Sequence, residues 1–273
     1  MIYIQLKDVR SLAIGAKTML SEITLALITG GVFGALLLKL VEILISRSEK
    51  KSTAKNILNK NLDPILKAAD DLVGKLYSLQ RADFKNPPRE ENSFPIEKEV
   101  DTSILCYYFA NFWARIQILK KESIYVNLNS TDNGKYLQAF INRLESKSAR
   151  LLSRALQRGT GESIVIKKDG QFDTLSFYEF HEKYHADERF RSWFEPLQSY
   201  LKDPKKGGFV QRILIHGTIL NALLGTLDSK HLYAQERKAW PNKLTEKNRK
   251  ELRFRIFGQY LRFVKNADRY YNI

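Results

Sequence analysis

The chain has 273 residues and a formal net charge of +15, from 45 Lys and Arg against 30 Asp and Glu. It contains no internal repeat or low-complexity tract, which excludes a repeat architecture. The only cysteine, Cys106, excludes an intramolecular disulfide and fits a reducing compartment. The positive excess is expected to attract either nucleic acid or an anionic membrane surface.

An apolar stretch near the start of the chain is its most distinctive feature. It runs from Ile23 to Ile45 and carries no charge through Leu38. As a helix it is long enough to cross the hydrocarbon core of a bilayer. Lys39 and Glu42 follow near one end, where they can pair or extend toward headgroups. A buried core helix is the alternative, but such helices are usually shorter. The sequence therefore predicts an N-terminal transmembrane helix over residues 23–45.

Basic residues are denser after this span than before it, which places the C-terminal part in the cytoplasm under the positive-inside rule. We expect these side chains to lie against anionic lipid: Arg47, Lys50, Lys51 and Lys55. Inside the span, Gly30 and Gly34 form a small-xxx-small pair through which two copies can approach and form a homodimer. Glycine is also simply common in membrane helices. We expect a single-pass protein of the cell membrane.

The sequence divides into four segments. These are an N-terminal segment 1–22, the transmembrane helix 23–45, a basic juxtamembrane linker 46–62 and a soluble helical domain 63–273. Residues 46–60 can alternatively continue the helix. Asp63 and Pro64 form an N-cap followed by proline at the first helical position, which predicts a helix to about Gln80.

Two more helices are predicted before the middle of the domain. The prolines within residues 84–100 predict a loop, and a helix from Asp101 or Thr102 follows. Its dense apolar run predicts the centre of the core, with these side chains inside: Phe109, Phe112, Trp113, Ile116 and Leu119. Arg115 in this run is expected on the outward face. A third helix is predicted from Thr131 or Asp132 to about Arg158.

Residues 157–162 contain Gly-x-Gly, which is expected to break the third helix. A β-hairpin about Asp169 and Gly170 follows. Short helices are predicted after it, capped by Ser176 and Asp187.

A core helix over Phe209–Leu227 and a last helix from Thr245 to about Tyr271 complete the chain. The fold class is thus mainly α: a transmembrane helix followed by a helical-bundle-like cytoplasmic domain with a small β-hairpin.

One segment matches a zinc-binding motif. Residues 181–185 spell His-Glu-Lys-Tyr-His, and on a helix His181 and His185 project from one face, with Glu182 as a general base. Against this, Lys183 adds a positive charge and no further histidine follows at the spacing used by related zinc sites. We therefore expect two solvent-facing histidines and assign no metal or cofactor. Metal binding stays an alternative.

The last predicted helix carries basic residues interleaved with aromatic ones, a pattern that can stack on bases. The aromatic residues are Phe254, Phe257, Tyr260, Tyr270 and Tyr271. Such residues more often belong to a core, and no nucleic-acid recognition motif accompanies them. Cys106 and His216 lie in apolar helices, where an inert thiol and a satisfied core histidine are expected.

Three short motifs carry a resemblance. They are residues 68–72 with Leu76 and Tyr77, residues 158–162, and Phe190-x-x-Trp193-Phe194-x-x-Leu197. In these the chain resembles a group of uncharacterised bacterial single-pass, membrane-anchored helical proteins. The resemblance implies the architecture and no activity.

We expect a non-enzymatic, membrane-anchored helical domain that acts as an interaction, scaffold or regulatory protein with an unknown protein partner. The alternatives are a zinc-dependent membrane hydrolase using His181, Glu182 and His185, and a membrane-tethered basic module that binds nucleic acid.

Overall fold

The computed structural model describes residues 31–81, 84, 95–202 and 208–273. The chain divides into two compact units, Met1–Ser52 and Thr53–Ile273. The predicted N-terminal segment and the first part of the predicted span, residues 23–30 with Gly30, lie outside the described residues.

The described part of the chain is mainly helical, with one two-stranded hairpin. The α-helices are α1 Gly31–Arg81, α2 Pro95–Glu122, α3 Asp132–Leu144, α4 Arg154–Glu162, α5 Phe177–Ala186, α6 Glu188–Ser192, α7 Glu195–Lys202, α8 Phe209–Leu227 and α9 Glu246–Lys250. The strands are β1 Val165–Lys168 and β2 Gln171–Thr174. A π-helix covers Glu251–Tyr260, and 3-10 turns cover Leu128–Ser130, Pro241–Lys243 and Ala267–Tyr270.

Residues 46–62 continue helix α1, which is the predicted alternative to a plain linker, and only the predicted helix start at Pro64 is wrong. Pro64 lies inside this continuous helix. Ala54, Leu58 and Leu62, spaced four apart, are buried. They form the apolar stripe that joins this part of α1 to the core of the second unit. Packing along that stripe outweighs the backbone hydrogen bond that proline removes.

Helix α2 begins at Pro95, several residues earlier than the predicted Asp101 or Thr102, so residues 95–100 are not the predicted loop. Proline is accepted at a first helical position because its missing N–H has no partner there in any case. The prediction of a central helix is confirmed, because all five side chains expected inside are buried: Phe109, Phe112, Trp113, Ile116 and Leu119.

The Gly-x-Gly segment does not break a helix but lies inside α4, so this prediction was wrong. The break comes earlier, between Leu144 and Arg154. A Cβ on Gly161 would lie 2.8 to 2.9 Å from backbone atoms of Trp113 and Ala114. This glycine therefore allows α4 to approach the backbone of α2 closely.

The hairpin is confirmed, with the register Val165 opposite Thr174. Its turn residues Asp169 and Gly170 both have positive φ, 51° and 76°, as a two-residue hairpin turn requires. Arg115 of α2 bonds Asp173 at 2.9 Å and the Thr174 hydroxyl at 2.9 Å. It is therefore partly buried and paired rather than simply outward.

The predicted last helix is only partly correct. Thr245 caps α9, but the α-helix ends at Lys250 and a π-helix follows. In the wider turn the Leu261 N–H donates to the Ile256 carbonyl, five residues back. The buried side chains of this region do not follow a 3.6-residue period: Leu252, Ile256, Phe257, Leu261, Val264 and Tyr270. A regular α-helix would turn some of them away from the core.

Candidate functional site

The described part of the predicted span presents apolar side chains that nothing in the structure covers. The exposed residues are Leu36, Leu37, Leu40, Ile43, Leu44 and Ile45, and Leu40 is 52% exposed. Because each residue turns a helix by about 100°, Leu36 and Ile45 point to opposite sides. This exposure is not one stripe that a single groove would cover. Lipid hydrocarbon around the helix would bury these side chains.

A basic segment follows directly on the same helix. Arg47, Lys50, Lys51 and Lys55 are all exposed. Gly34, the second member of the predicted dimer pair, lies in the helix, and Gly30 lies outside the described residues. The structure thus places an exposed apolar segment and an exposed basic segment next to each other along α1.

By length and composition, one helix in the described ranges qualifies as a candidate membrane span, and it is α8. Its apolar window is 67% buried, as in the core helix of a soluble protein. Two of the polar side chains that interrupt it, His216 and Asn221, have hydrogen-bond partners inside the second unit. His216 bonds the Ala149 carbonyl at 3.1 Å, and Trp240 donates to the Leu214 carbonyl of the helix at 3.2 Å. The burial of α8 agrees with the prediction of a core helix.

The zinc-motif residues lie on α5, which Ser176 opens with a capping box. The rings of His181 and His185 are 4.4 Å apart between centroids, so the predicted pair on one face is present. His181 Nδ1 lies 3.3 Å from the Ser103 hydroxyl. Phe180 and Tyr184 are buried on the other face, as the solvent-facing interpretation requires.

Among the described residues, no third ligand joins this pair, because no group of three or more His, Cys, Asp or Glu side chains is placed to hold a metal ion. Glu182 is exposed, and so are Glu188 and Glu195, the carboxylates that begin helices α6 and α7. The motif thus supplies two adjacent imidazoles, which is fewer than the three protein ligands of a typical catalytic zinc.

The basic C-terminal region is not one continuous binding face. Phe257 and Tyr270 are buried and stack on each other at 5.4 Å, whereas Phe254 is exposed. Arg237 is committed to an ion pair with Asp70, in which both side chains are 14% exposed. The aromatic residues of the sequence pattern are therefore divided between core and surface, whereas its arginines Arg253, Arg255 and Arg262 are exposed.

Cys106 is buried as the sequence predicted, whereas the expectation of a satisfied core histidine holds only in part, because His216 Nε2 is buried with no hydrogen-bond partner among the described residues. Burial raises the pKa of the Cys106 thiol to about 12, so it is protonated and unreactive at neutral pH. Burial also lowers the pKa of His216 to about 4, although its bond to the Ala149 carbonyl acts in the opposite direction. Both groups belong to the core.

Sequence reasoning missed the buried pair of Asp70 and Arg237, since no local pattern links residues so far apart in the chain. The adjacent Asp71 is exposed, and its pKa is raised by partial burial and by the charge of Asp70. The two neighbouring aspartates therefore lie in different surroundings.

Comparison with known proteins identifies no relative of this chain. No protein-family model, no curated protein and no solved structure matches the chain. The resemblance to uncharacterised bacterial anchored proteins therefore stays a prediction.

Proposed function

We propose that the chain is a single-pass membrane protein, anchored by residues 23–45, whose unit Thr53–Ile273 is a cytoplasmic interaction domain. The exposed apolar side chains between residues 36 and 45, which include the oppositely directed Leu36 and Ile45, support the anchor. In water each of these leucines and isoleucines would lack the roughly 1.5 to 3 kcal/mol of stabilisation that full burial of its side chain gives. A bilayer removes that cost without a partner protein.

The basic segment supports the orientation. Arg47 to Lys55 follows the apolar segment directly, and Lys and Arg next to a span are retained on the cytoplasmic side. Each basic side chain near an anionic leaflet contributes about 1 kcal/mol of attraction. The buried, reduced Cys106 is compatible with the same compartment.

An interaction role for the second unit, as scaffold, adaptor or regulator, is supported by its exposed large side chains. Tyr125, Tyr178 and Leu232 are all at least 70% exposed. Exposed aromatic groups of this kind anchor protein interfaces. The net charge of +15 favours an acidic partner.

The anchor is tested by washing membranes from cells that express the full chain with alkaline carbonate. We expect the natural chain to stay with the membrane. Leu37→Asp with Leu40→Asp should release it, because each carboxylate costs about 2.5 to 3.5 kcal/mol within a span. Ser48→Asp with Ser52→Asp adds the same charge at exposed positions of the same helix and should leave it bound. Recovery of the natural chain in the soluble fraction would reject the proposal.

The interaction role needs a separate experiment. A photo-cross-linking amino acid placed at Tyr125, Tyr178 or Leu232 of the full chain should give a heavier adduct in intact cells. The same probe at Cys106, which is fully buried, should give none. If no exposed position gives an adduct, the second unit does not work by stable interaction.

A second candidate is a zinc-dependent hydrolase, which the close pair His181 and His185 favours. Elemental analysis of the purified full chain tests it. Stoichiometric zinc that disappears in His181→Ala with His185→Ala would establish the metal site and make peptide hydrolysis the next assay. Without zinc, the second candidate is rejected.

A further inference from the structure

A cavity of about 280 Å³ opens within the second unit, beside the start of α4. Two arginines from different parts of the chain line it, Arg150 before α4 and Arg212 of α8. Leu151, Leu152 and Pro196 form its apolar walls. The cavity thus combines two arginine residues with an apolar surface, and ligand sites commonly combine polar and apolar groups in this way.

Among the described residues, no Asp or Glu lines this cavity, so no carboxylate there compensates its charge. Throughout the described ranges, neither Arg150 nor Arg212 forms an ion pair, whereas Arg115, Arg158 and Arg237 all bond carboxylates. Two like charges at one cavity repel each other in the empty state. An anion between them would attract both and so offset that repulsion.

The neighbouring groups add a donor and a fixed wall. Ser153 lines the cavity, and its hydroxyl oxygen accepts the Leu156 N–H at 3.3 Å. The hydroxyl hydrogen remains available to donate. Tyr200, also at the cavity, stacks on Phe209 with centroids 4.6 Å apart and ring planes 10° apart. This stacking holds that wall in place.

We propose that this cavity binds a small phosphate-bearing molecule, with the phosphate between Arg150 and Arg212. Each planar guanidinium group can donate two parallel hydrogen bonds to a pair of phosphate oxygens. Two such groups carry two positive charges, which match a phosphate dianion better than they match a single carboxylate. The apolar walls then contact the remainder of the ligand. This site goes beyond the interaction role and does not depend on the membrane anchor.

The test is isothermal titration calorimetry on the full chain in detergent. One arm uses inorganic pyrophosphate, a free phosphate. The other uses dihexanoyl phosphatidic acid, a lipid phosphate, with dihexanoyl phosphatidylcholine as its zwitterionic control. Binding of pyrophosphate identifies a soluble phosphorylated ligand, and binding of the phosphatidic acid alone identifies a lipid headgroup.

Substitutions decide whether the cavity is responsible. We expect Arg212→Gln, at an exposed position, to weaken binding about tenfold, since one charged hydrogen-bonding group is lost. Arg150→Gln added to it should weaken binding about a hundredfold. Arg189→Gln with Arg253→Gln removes the same charge from exposed positions elsewhere and should leave affinity within twofold. Absence of binding in both arms, or equal loss in this control, overturns the proposal.

Discussion

Two helical stretches of this protein are similarly apolar and end up in opposite environments. In α1, six leucines and isoleucines between residues 36 and 45 are exposed, whereas in α8 every residue from Ile213 to Leu224 is buried. Hydropathy alone does not separate the two. The difference lies in which polar groups interrupt each stretch and whether the protein supplies partners for them.

Apart from Arg212, the polar side chains of α8 form hydrogen bonds within the second unit. Thr218 donates to the Leu214 carbonyl at 2.7 Å within the helix, and His216 bonds a carbonyl outside it. Gly217 leaves room for the Trp240 ring. In α1, by contrast, the apolar segment ends in a run of exposed charges. Partnered polar groups thus identify the core helix, and flanking charge identifies the candidate span.

The comparison is tested most directly by the same truncation in each helix. Leu220 is fully buried, so Leu220→Ala should destabilise the second unit by about 2 to 5 kcal/mol through lost burial and a cavity. Leu40→Ala should change the free energy of unfolding of the second unit by less than about 0.5 kcal/mol. Urea unfolding of the full chain in detergent, followed by tryptophan fluorescence, measures both.

All three tryptophans, Trp113, Trp193 and Trp240, belong to the second unit, so the signal reports its unfolding alone. Equal losses of stability from the two truncations would contradict the contrast between the core helix α8 and the proposed span in α1.

The next largest effect is a pH dependence that originates in α8. The folded-state pKa of His216 is about 4, against 6.5 for the free side chain. Between these values the unfolded state binds the proton and the folded state does not, so stability falls as pH falls through this window. The loss should approach about 3 kcal/mol near pH 4.

Unfolding free energies measured from pH 7 to pH 4 check this prediction. His216→Gln removes the titrating group and should flatten this part of the profile, whatever its stability at neutral pH. His231→Gln, at an exposed histidine, should keep the natural slope. A natural profile that persists in His216→Gln would mean that other groups cause the acid sensitivity.

Much of the fold was predictable because its signals are local. The Asp169-Gly170 turn and the caps Thr131, Ser176 and Asp187 act within a few residues. Pro64 and Gly161 misled the prediction because their role depends on distant partners. Pro64 is tolerated where α1 packs on the core, and Gly161 faces the backbone of α2.

The candidate sites divide in the same way. The pair His181 and His185 follows from helical spacing and was foreseen, whereas the missing third ligand depends on tertiary structure. Arg150 and Arg212 come from an irregular connection and from an apolar helix. No spacing in the sequence relates them. Their meeting at one cavity becomes visible only once α8 is placed beside the start of α4.

The smallest expected effect compares two glycines within α8. A Cβ on Gly217 would lie 2.7 Å from the Trp240 ring and 3.2 Å from Leu76. Because both neighbours are buried, Gly217→Ala should cost about 1 to 3 kcal/mol through overpacking. A Cβ on Gly225 would first meet the end of the flexible Arg269 side chain, at 2.7 Å.

Arg269 is exposed and can rotate away if it gives up its bond to the Tyr270 hydroxyl, and alanine stabilises a helix by about 1 kcal/mol relative to glycine. Gly225→Ala should therefore be close to neutral in the same urea experiment. Both substitutions add one methyl group to the same helix. The test is therefore whether Gly217→Ala lowers the free energy of unfolding more than Gly225→Ala does. If Gly217→Ala is as harmless as Gly225→Ala, α8 is packed loosely at Trp240, and the fit of this helix to its core is weaker than its burial implies.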